Sequence, residues 1–222
     1  GNNMRYSKFS IEDDKSVSKG NYFSDIFKSI LLLLVLITLI GFSFLNQKST
    51  ILQLIIVLMA LFTMFIGQKL NIKLFKRHKY SVRDLVYIIA GYLTIVITDY
   101  IYSFFFNITT QNQSEIESIF QHSSLLFLIV TTALLPAILE EYIFRGLILR
   151  VIFRNHLLLG VIISSIIFAL FHYSDNFFDY IPYFISGLVL SIVYLKTRKI
   201  EVAILLHFIN NLISAIMLFL NN

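Results

Sequence analysis

Residues 132–146 read TALLPAILEEYIFRG, an apolar segment that is interrupted by Glu140, Glu141 and Arg145. The rest of the chain has the same character, because 57% of its 222 residues are hydrophobic, 14% are charged, and the apolar residues form long blocks. A soluble domain has about 25% charged residues, whereas a bilayer accommodates helices that are apolar on every side. The sequence therefore predicts an all-α, polytopic transmembrane helix bundle.

Seven segments are long and apolar enough to be membrane spans. We predict these spans at roughly 26–45, 51–66, 85–106, from 125 onward, 158–177, 181–195 and 202–220. An eighth span would require residues 1–24 to form a helix, and their polar composition argues against it. We expect residues 1–24 to be a cytoplasmic tail and residues 25–222 to form a single membrane domain.

Lysine and arginine alternate between the loops. The N-terminal tail and the loops after the second, fourth and sixth spans are basic, whereas residues 107–124 and 173–179 contain no Lys or Arg. The positive-inside rule then places the N-terminus in the cytoplasm and the C-terminus outside. The basic excess thus indicates the topology of a multi-pass cell-membrane protein, and we expect no nucleic-acid partner. The absence of cysteine excludes disulfides, thiolate metal ligands and a thiol nucleophile.

Charged residues inside a span are costly, by about 2.5–3.5 kcal/mol on insertion scales, and usually have a function. Glu141 and Arg145 are four residues apart, so they can pair on one helix face. Glu140 leaves the helix about 100° away from Glu141, and its carboxylate is free to act as a general base. The alternative interpretation is that the helix ends here at the membrane surface and that water solvates the charges.

Two later spans contain histidines. Phe168 precedes His172 by one helical turn in the fifth span, and His207 shares a helix face with Asn211 in the seventh. With Glu140 they supply a carboxylate, two imidazoles and an amide, the groups needed to activate a water and to stabilise an oxyanion. Histidine and glutamate are also zinc ligands, so a metal site is an open alternative.

Other chemistries fit the sequence less well. Residues Ile185-Ser186-Gly187 lack the first glycine of a Gly-x-Ser-Gly serine protease motif, and neither Gly-x-Gly-Asp nor His-Glu-x-x-His is present. Asp99, an acid in the third span, is interpreted as a structural residue or a proton relay. A transporter that used Glu140 and Asp99 would be expected to have an inverted repeat, and we see none.

Three motifs in order, on three apolar segments, resemble those of the CPBP family, the CAAX-protease and bacteriocin-processing (Abi) intramembrane proteases. The motifs are Glu140-Glu141-x-x-x-Arg145, Phe168-x-x-x-His172 and His207-x-x-x-Asn211, and the resemblance covers roughly residues 125–220. It implies an intramembrane endopeptidase with a protease-like core in that range.

The resemblance also implies roles for these residues. Glu140 would activate water with help from His172, and His207 and Asn211 would stabilise the oxyanion. Glu141, Arg145 and Phe168 would orient the site.

Members of this family have been described both as metalloproteases and as metal-independent glutamate proteases. We expect no cofactor, because Glu140 is the motif carboxylate without an arginine partner; zinc is the alternative. The expected partners are the lipid bilayer and a peptide or membrane-anchored protein substrate, in bacteriocin immunity or peptide maturation, and the richness in Ile, Asn and Lys favours a bacterial source. The alternative function is a non-catalytic scaffold or immunity protein of the same fold, which the loss of a motif residue would have favoured.

Glu140 and His172 can meet only if the fourth helix is long. A helix that ended at Glu141 would leave Glu140 at the cytoplasmic edge, whereas His172 lies towards the other side. We therefore expect the helix to continue through residues 142–153, bent at Pro136, with Glu140 near mid-depth.

Overall fold

The regular structure of the chain is helical throughout the part described by the computed structural model, residues 17–18, 20–106 and 109–221. The helices are α1 (Tyr22–Leu45), α2 (Thr50–Lys69), α3 (Val82–Phe106), α4 (Gln111–Phe120), α5 (Leu125–Ile152), α6 (Leu157–Leu170), α7 (Tyr180–Thr197) and α8 (Ile200–Leu220). A short 3₁₀ turn, Phe177–Asp179, precedes α7. Most of the predicted tail, residues 1–16 and 19, lies outside the described residues.

Among the described residues, six helices are long and apolar enough to cross a membrane: α1, α2, α3, α5, α8 and the helix formed by α7 with its 3₁₀ turn. This confirms the predicted polytopic bundle of a multi-pass membrane protein. The fifth predicted span, 158–177, is too long, because α6 ends at Leu170 after 14 residues. Its length is about 21 Å at 1.5 Å per residue, less than the hydrocarbon core of about 30 Å. The reason is local, since the residues after His172 include Ser174, Asp175 and Asn176, which favour turns.

Helix α5 runs from Leu125 to Ile152 without a break, 28 residues in all. The predicted long fourth helix is therefore confirmed. It changes type along its length: Ile129–Leu134 and Glu141–Ile152 are π-helical. The bend expected at Pro136 stays a prediction. Pro136 has no backbone N–H to donate, and it lies in the first turn of the α-helical stretch Leu135–Glu140, which follows the first π segment.

The second π-helical segment forms the centre of the bundle. Every residue from Glu141 to Leu147 is buried, and the segment packs against α1, α6 and α8. Because this segment has neighbours on all sides, its polar and apolar residues are not separated onto two opposite faces. The motif residues of α5 are therefore held in the core.

The basic loops lie together at one end of the bundle. Arg154 pairs with Asp25 at 2.7 Å, which joins the end of α5 to the start of α1. Lys199 pairs with Asp84 at 2.6 Å, which joins the start of α8 to the start of α3. We call this the basic end, comprising residues 69–83, 150–156 and 196–199.

The loops that are poor in Lys and Arg meet at the opposite end; Lys48 is their one basic residue among those described. The carboxylate of Asp179 accepts hydrogen bonds from the Gln111 N–H at 2.9 Å and the Ser174 hydroxyl at 2.7 Å. It also accepts one from the Tyr102 hydroxyl. We call this the neutral end, comprising residues 46–49, 109–124 and 171–179. The alternation of loop charge thus corresponds to two distinct ends of the molecule.

Candidate functional site

Glu141 and Arg145 form the predicted ion pair inside the bundle. Nη1 of Arg145 lies 3.2 Å from Oε1 of Glu141, and both side chains are completely buried. The other end of the guanidinium donates to the carbonyl oxygen of Gly187 at 3.1 Å. Arg145 therefore ties α5 to α7, and Glu141 is shielded from water.

Phe168 contacts three other motif residues, Arg145, His172 and His207. The Arg145 guanidinium lies 4.4 Å from the centre of the Phe168 ring, an arrangement that favours a cation. The same ring is 4.8 Å from the His172 ring and 6.1 Å from the His207 ring. Phe168 thus lies where a residue that orients the site would be needed.

His207 lies between the two glutamates. Its Nδ1 is 2.7 Å from Oε1 of Glu141, and its Nε2 is 3.7 Å from Oε2 of Glu140. A carboxylate only accepts hydrogen bonds, so Nδ1 carries the proton that is shared with Glu141. Sequence reasoning missed this contact, because it joins α5 to α8 and no spacing along either helix indicates it.

His172 is oriented by two contacts. Its Nδ1 lies 2.8 Å from the carbonyl oxygen of Phe168, and because a carbonyl only accepts, Nδ1 is the donor. In the neutral ring Nε2 is then the free base. The ring stacks on Tyr183, with centroids 4.2 Å apart and planes inclined by 11°. Tyr183 was not predicted from the sequence, and its hydroxyl shares a hydrogen bond with the Thr110 hydroxyl at 2.8 Å.

A cavity of about 630 Å³ brings the four predicted catalytic residues together. Glu140, His172, His207 and Asn211 all line it, whereas Glu141 and Arg145 do not. Oε2 of Glu140 is buried and has no hydrogen-bond partner among the described residues. Glu140 is therefore the motif glutamate that can hold a water or a substrate group in the cavity.

Further polar residues line the same cavity. Asn210 contributes beside Asn211, Ser186 contributes from α7, and Asp99 contributes from α3. From the sequence, Asp99 is interpreted as a structural residue or a proton relay, whereas nothing singles out Asn210. An asparagine beside a motif asparagine carries no signal of its own in one sequence.

The described residues do not form a ready-made metal centre. Within 17–18, 20–106 and 109–221, no group of three or more histidine, aspartate and glutamate side chains is arranged to hold a metal ion. The Nδ1 atoms of His172 and His207 are both engaged, by Phe168 and by Glu141. A metal would have to bind their Nε2 atoms, and the expected metal independence stays a prediction.

Comparison with known proteins gives one family match and one curated relative. Residues 122–213 match the family described as type II CAAX prenyl endopeptidase Rce1-like. The membrane-embedded CAAX protease MroQ of Staphylococcus aureus (strain USA300) is 36% identical over 87 residues, which cover 36% of this chain and 34% of that protein. The chain thus spans about a third of the length of this relative. No solved structure matches the chain significantly.

The matched range contains all three motifs, from Glu140 on α5 to Asn211 on α8. The same residues line one cavity or hold those that do. Residues 122–213, which carry the site, are therefore similar to type II CAAX prenyl endopeptidases of the Rce1-like family.

Proposed function

We propose that the protein is an intramembrane endopeptidase in which Glu140 activates the water that hydrolyses a peptide bond. The observation that supports this most directly is the difference between the two adjacent glutamates. Glu141 is fully buried away from the cavity, and its Oε1 is engaged by Arg145 and His207, whereas Glu140 lines the cavity. A general base must reach both the water and a space for substrate, and Glu140 meets that requirement.

Hydrolysis begins with a water held between Glu140 and His172. Glu140 takes one proton from this water, and the oxygen adds to the carbonyl carbon of the substrate. His172 supports the step through its Nε2 lone pair, because its Nδ1 proton is committed to the Phe168 carbonyl. The product of this step is a tetrahedral intermediate with a negative oxygen.

The oxyanion needs donors that are already in place. Asn211 offers its side-chain N–H groups from the cavity wall. His207 offers Nε2–H when the ring is protonated, while its Nδ1–H stays on Glu141. The ion pair of Glu141 with Arg145 thereby fixes the imidazole that faces the substrate.

The intermediate collapses when the leaving nitrogen is protonated. Glu140 returns the proton that it took from water to the amide nitrogen, and the C–N bond breaks. The products are a carboxylic acid and an amine, and the carboxylate of Glu140 is restored; the acid proton then passes to the amine, which gives a carboxylate and an ammonium group. The reaction therefore consumes one water and needs no further reactant.

MroQ is described as a CAAX protease, which supports a peptidase of the same general kind here. We propose a peptide or membrane-anchored protein as the substrate, with a role in peptide maturation or bacteriocin immunity. The amino-acid composition of the chain favours a bacterial source. In a bacterial host, prenylated substrates are not expected.

The test compares new protein N-termini in cells that express the wild type, Glu140→Gln or Glu117→Gln. Glu117 is an exposed residue of α4 and controls for a Glu-to-Gln change outside the cavity. We expect peptides with new N-termini in the wild type and in Glu117→Gln, and their absence in Glu140→Gln. The same peptides, synthesised with flanking sequence, should be cleaved by the purified protein. Equal cleavage by the Glu140→Gln protein would contradict the proposal and favour the scaffold alternative.

A further inference from the structure

The residues that line the cavity share one half of the molecule. From α1 they come from the last two turns, at Ile40, Ser43 and Phe44. From α3 they come from the second half, at Ile95 and beyond. From α5 they come from the half that precedes Glu141. All three sets lie towards the neutral end of their helices.

The remaining helices show the same distribution. From α6 the lining residues begin at Phe168, near its C-terminal end, and from α7 they lie between Pro182 and Leu190, in its first half. From α8 they begin at His207 and extend towards the C-terminus. Glu140 and His207 therefore lie at the floor of a cavity that extends towards the neutral end.

The start of α4 at the neutral end forms part of the wall. Thr110, Asn112 and Gln113 line the cavity, and the Thr110 hydroxyl shares a hydrogen bond with the Tyr183 hydroxyl. The cavity thus continues from the floor to the aqueous level of the loops. Among all the lining residues the charged side chains are Asp99 and Glu140, and there is no Lys or Arg.

The basic end of the bundle is closed below the floor. The fully buried layer Glu141–Leu147 lies directly beneath Glu140. The segment 71–80, which links α2 to α3 at the basic end, packs against it with Ile72 and Leu74 buried. A Cβ placed on Gly146 would lie 2.7 Å from a Leu74 methyl group, which shows how closely this segment packs against α5.

We propose that the cavity opens to the extracytoplasmic side of the membrane. The substrate would then be an exported or membrane-anchored peptide whose scissile segment enters from that side and reaches about mid-depth. The charge of the loops supports the direction, because the positive-inside rule puts the basic end in the cytoplasm. The lining supports an uncharged or cationic segment over an acidic one, since both of its fixed charges are carboxylates. The substrate class rests on the proposed function, whereas the direction of opening does not.

The test uses the absence of cysteine from the chain. Single cysteines are introduced at Ser186 and Ser214, which line the cavity, at Ser114 on α4 as an outer control, and at Arg77 as a basic-end control, the last two being exposed. Intact cells are treated with a membrane-impermeant maleimide, and permeabilised cells and denatured protein are treated in parallel. Labelling of the denatured protein establishes that each cysteine is present and reactive.

We expect Ser186→Cys, Ser214→Cys and Ser114→Cys to be labelled in intact cells and Arg77→Cys only after permeabilisation. Labelling of both cavity cysteines only after permeabilisation would overturn the proposal, and so would a lack of labelling in both kinds of cell. Labelling needs no substrate and no activity. A failure here therefore leaves the hydrolase proposal intact, and a failure to cleave leaves the direction of opening intact.

Discussion

The Nδ1 atom of His207 lies 2.7 Å from Oε1 of Glu141. This hydrogen bond joins α5 to α8 through two residues that are 66 positions apart in sequence. Because of this hydrogen bond, the two adjacent glutamates have different roles. Glu141 holds His207 and Arg145 in the buried layer, and Glu140 is left to face the cavity. Neighbours in sequence therefore have different environments, and their substitution should have different consequences.

Glu140→Gln should lose activity and keep stability, whereas Glu141→Gln should lose both. Loss of a general base typically costs about 10²–10⁴-fold in rate. Removal of one partner of a buried ion pair typically costs about 3–5 kcal/mol, because Arg145 is left buried without its carboxylate. Cleavage rate and thermal unfolding in the same detergent measure the two effects. A Glu141→Gln protein that unfolds at the wild-type temperature would show that the pair does not stabilise the bundle.

Tyr183→Ala should lower kcat more than it changes KM, and Tyr183→Phe should be close to wild type. The aromatic ring, stacked 4.2 Å from His172, limits the orientation of the imidazole. Aromatic contacts of this kind are worth about 0.5–1.5 kcal/mol, so we expect kcat to fall by about 2- to 12-fold. If the Phe variant is as slow as the Ala variant, the hydroxyl contact with Thr110 is the important one, and stacking is not.

The ion pair was predictable because it is local. Glu141 and Arg145 are four residues apart on one helix, and that spacing alone sets their separation. The apolar blocks were predictable for a similar reason, since the bilayer imposes a length and a composition on each span. These two kinds of regularity account for most of what the sequence indicated about the fold and the α5 motif.

The contacts between helices were not predictable from spacing. The position of His207 next to Glu141, and of Tyr183 under His172, depends on how α5, α6, α7 and α8 pack. The π-helical geometry of α5 also has no signal in residue type beyond Pro136. The end of α6 at Leu170 was missed because apolar residues continue to Phe171, and the hydrogen bonds of the polar residues that follow determine where the chain turns.

Gly187→Ala should destabilise the bundle. A Cβ at this position would lie 3.1 Å from the Cα of Ser165 on α6, so the two helices would have to separate. Overpacking of this kind typically costs about 1–3 kcal/mol, and it would also move the carbonyl that holds Arg145. Gly41→Ala is the matched control, because nothing lies within 4 Å of the added Cβ. Equal unfolding temperatures for the two variants would show that α6 and α7 tolerate the extra atom.

Chelators should leave cleavage unchanged. The described residues contain no group of three or more histidine, aspartate and glutamate side chains arranged around a metal ion. The check is the rate of cleavage by purified protein after dialysis against EDTA or 1,10-phenanthroline, followed by addition of zinc. Loss of activity that zinc restores would establish a metal-dependent reaction and would require a rearrangement of Glu140, His172 and His207.

Asp179→Asn should loosen α4 from the neutral end. The Asp179 carboxylate is buried and accepts from the Gln111 N–H, the Ser174 hydroxyl and the Tyr102 hydroxyl. Hydrogen bonds to a charged group contribute about 1.5–3 kcal/mol each, and an amide cannot replace the carboxylate at all of these donors because half of it is a donor itself. We expect faster hydrogen exchange of the backbone of α4, with little change in the buried segment of α5.

Asp175→Asn is the control for that experiment, because Asp175 is an exposed neighbour whose carboxylate accepts from the Tyr173 hydroxyl alone among the described residues. In the Asp175→Asn protein, the backbone amides of α4 should exchange hydrogen at the wild-type rate. If both variants exchange alike, Asp179 does not hold α4 in place, and its other contacts must do so. The Tyr183 hydroxyl bonds Thr110 at 2.8 Å and Asn112 at 3.3 Å, and the Gln111 side-chain oxygen accepts from the Asp175 N–H at 2.9 Å and the Ser174 hydroxyl at 3.2 Å. Faster exchange of α4 in Tyr183→Phe would assign this role to the Tyr183 hydroxyl, and an unchanged rate would assign it to Gln111.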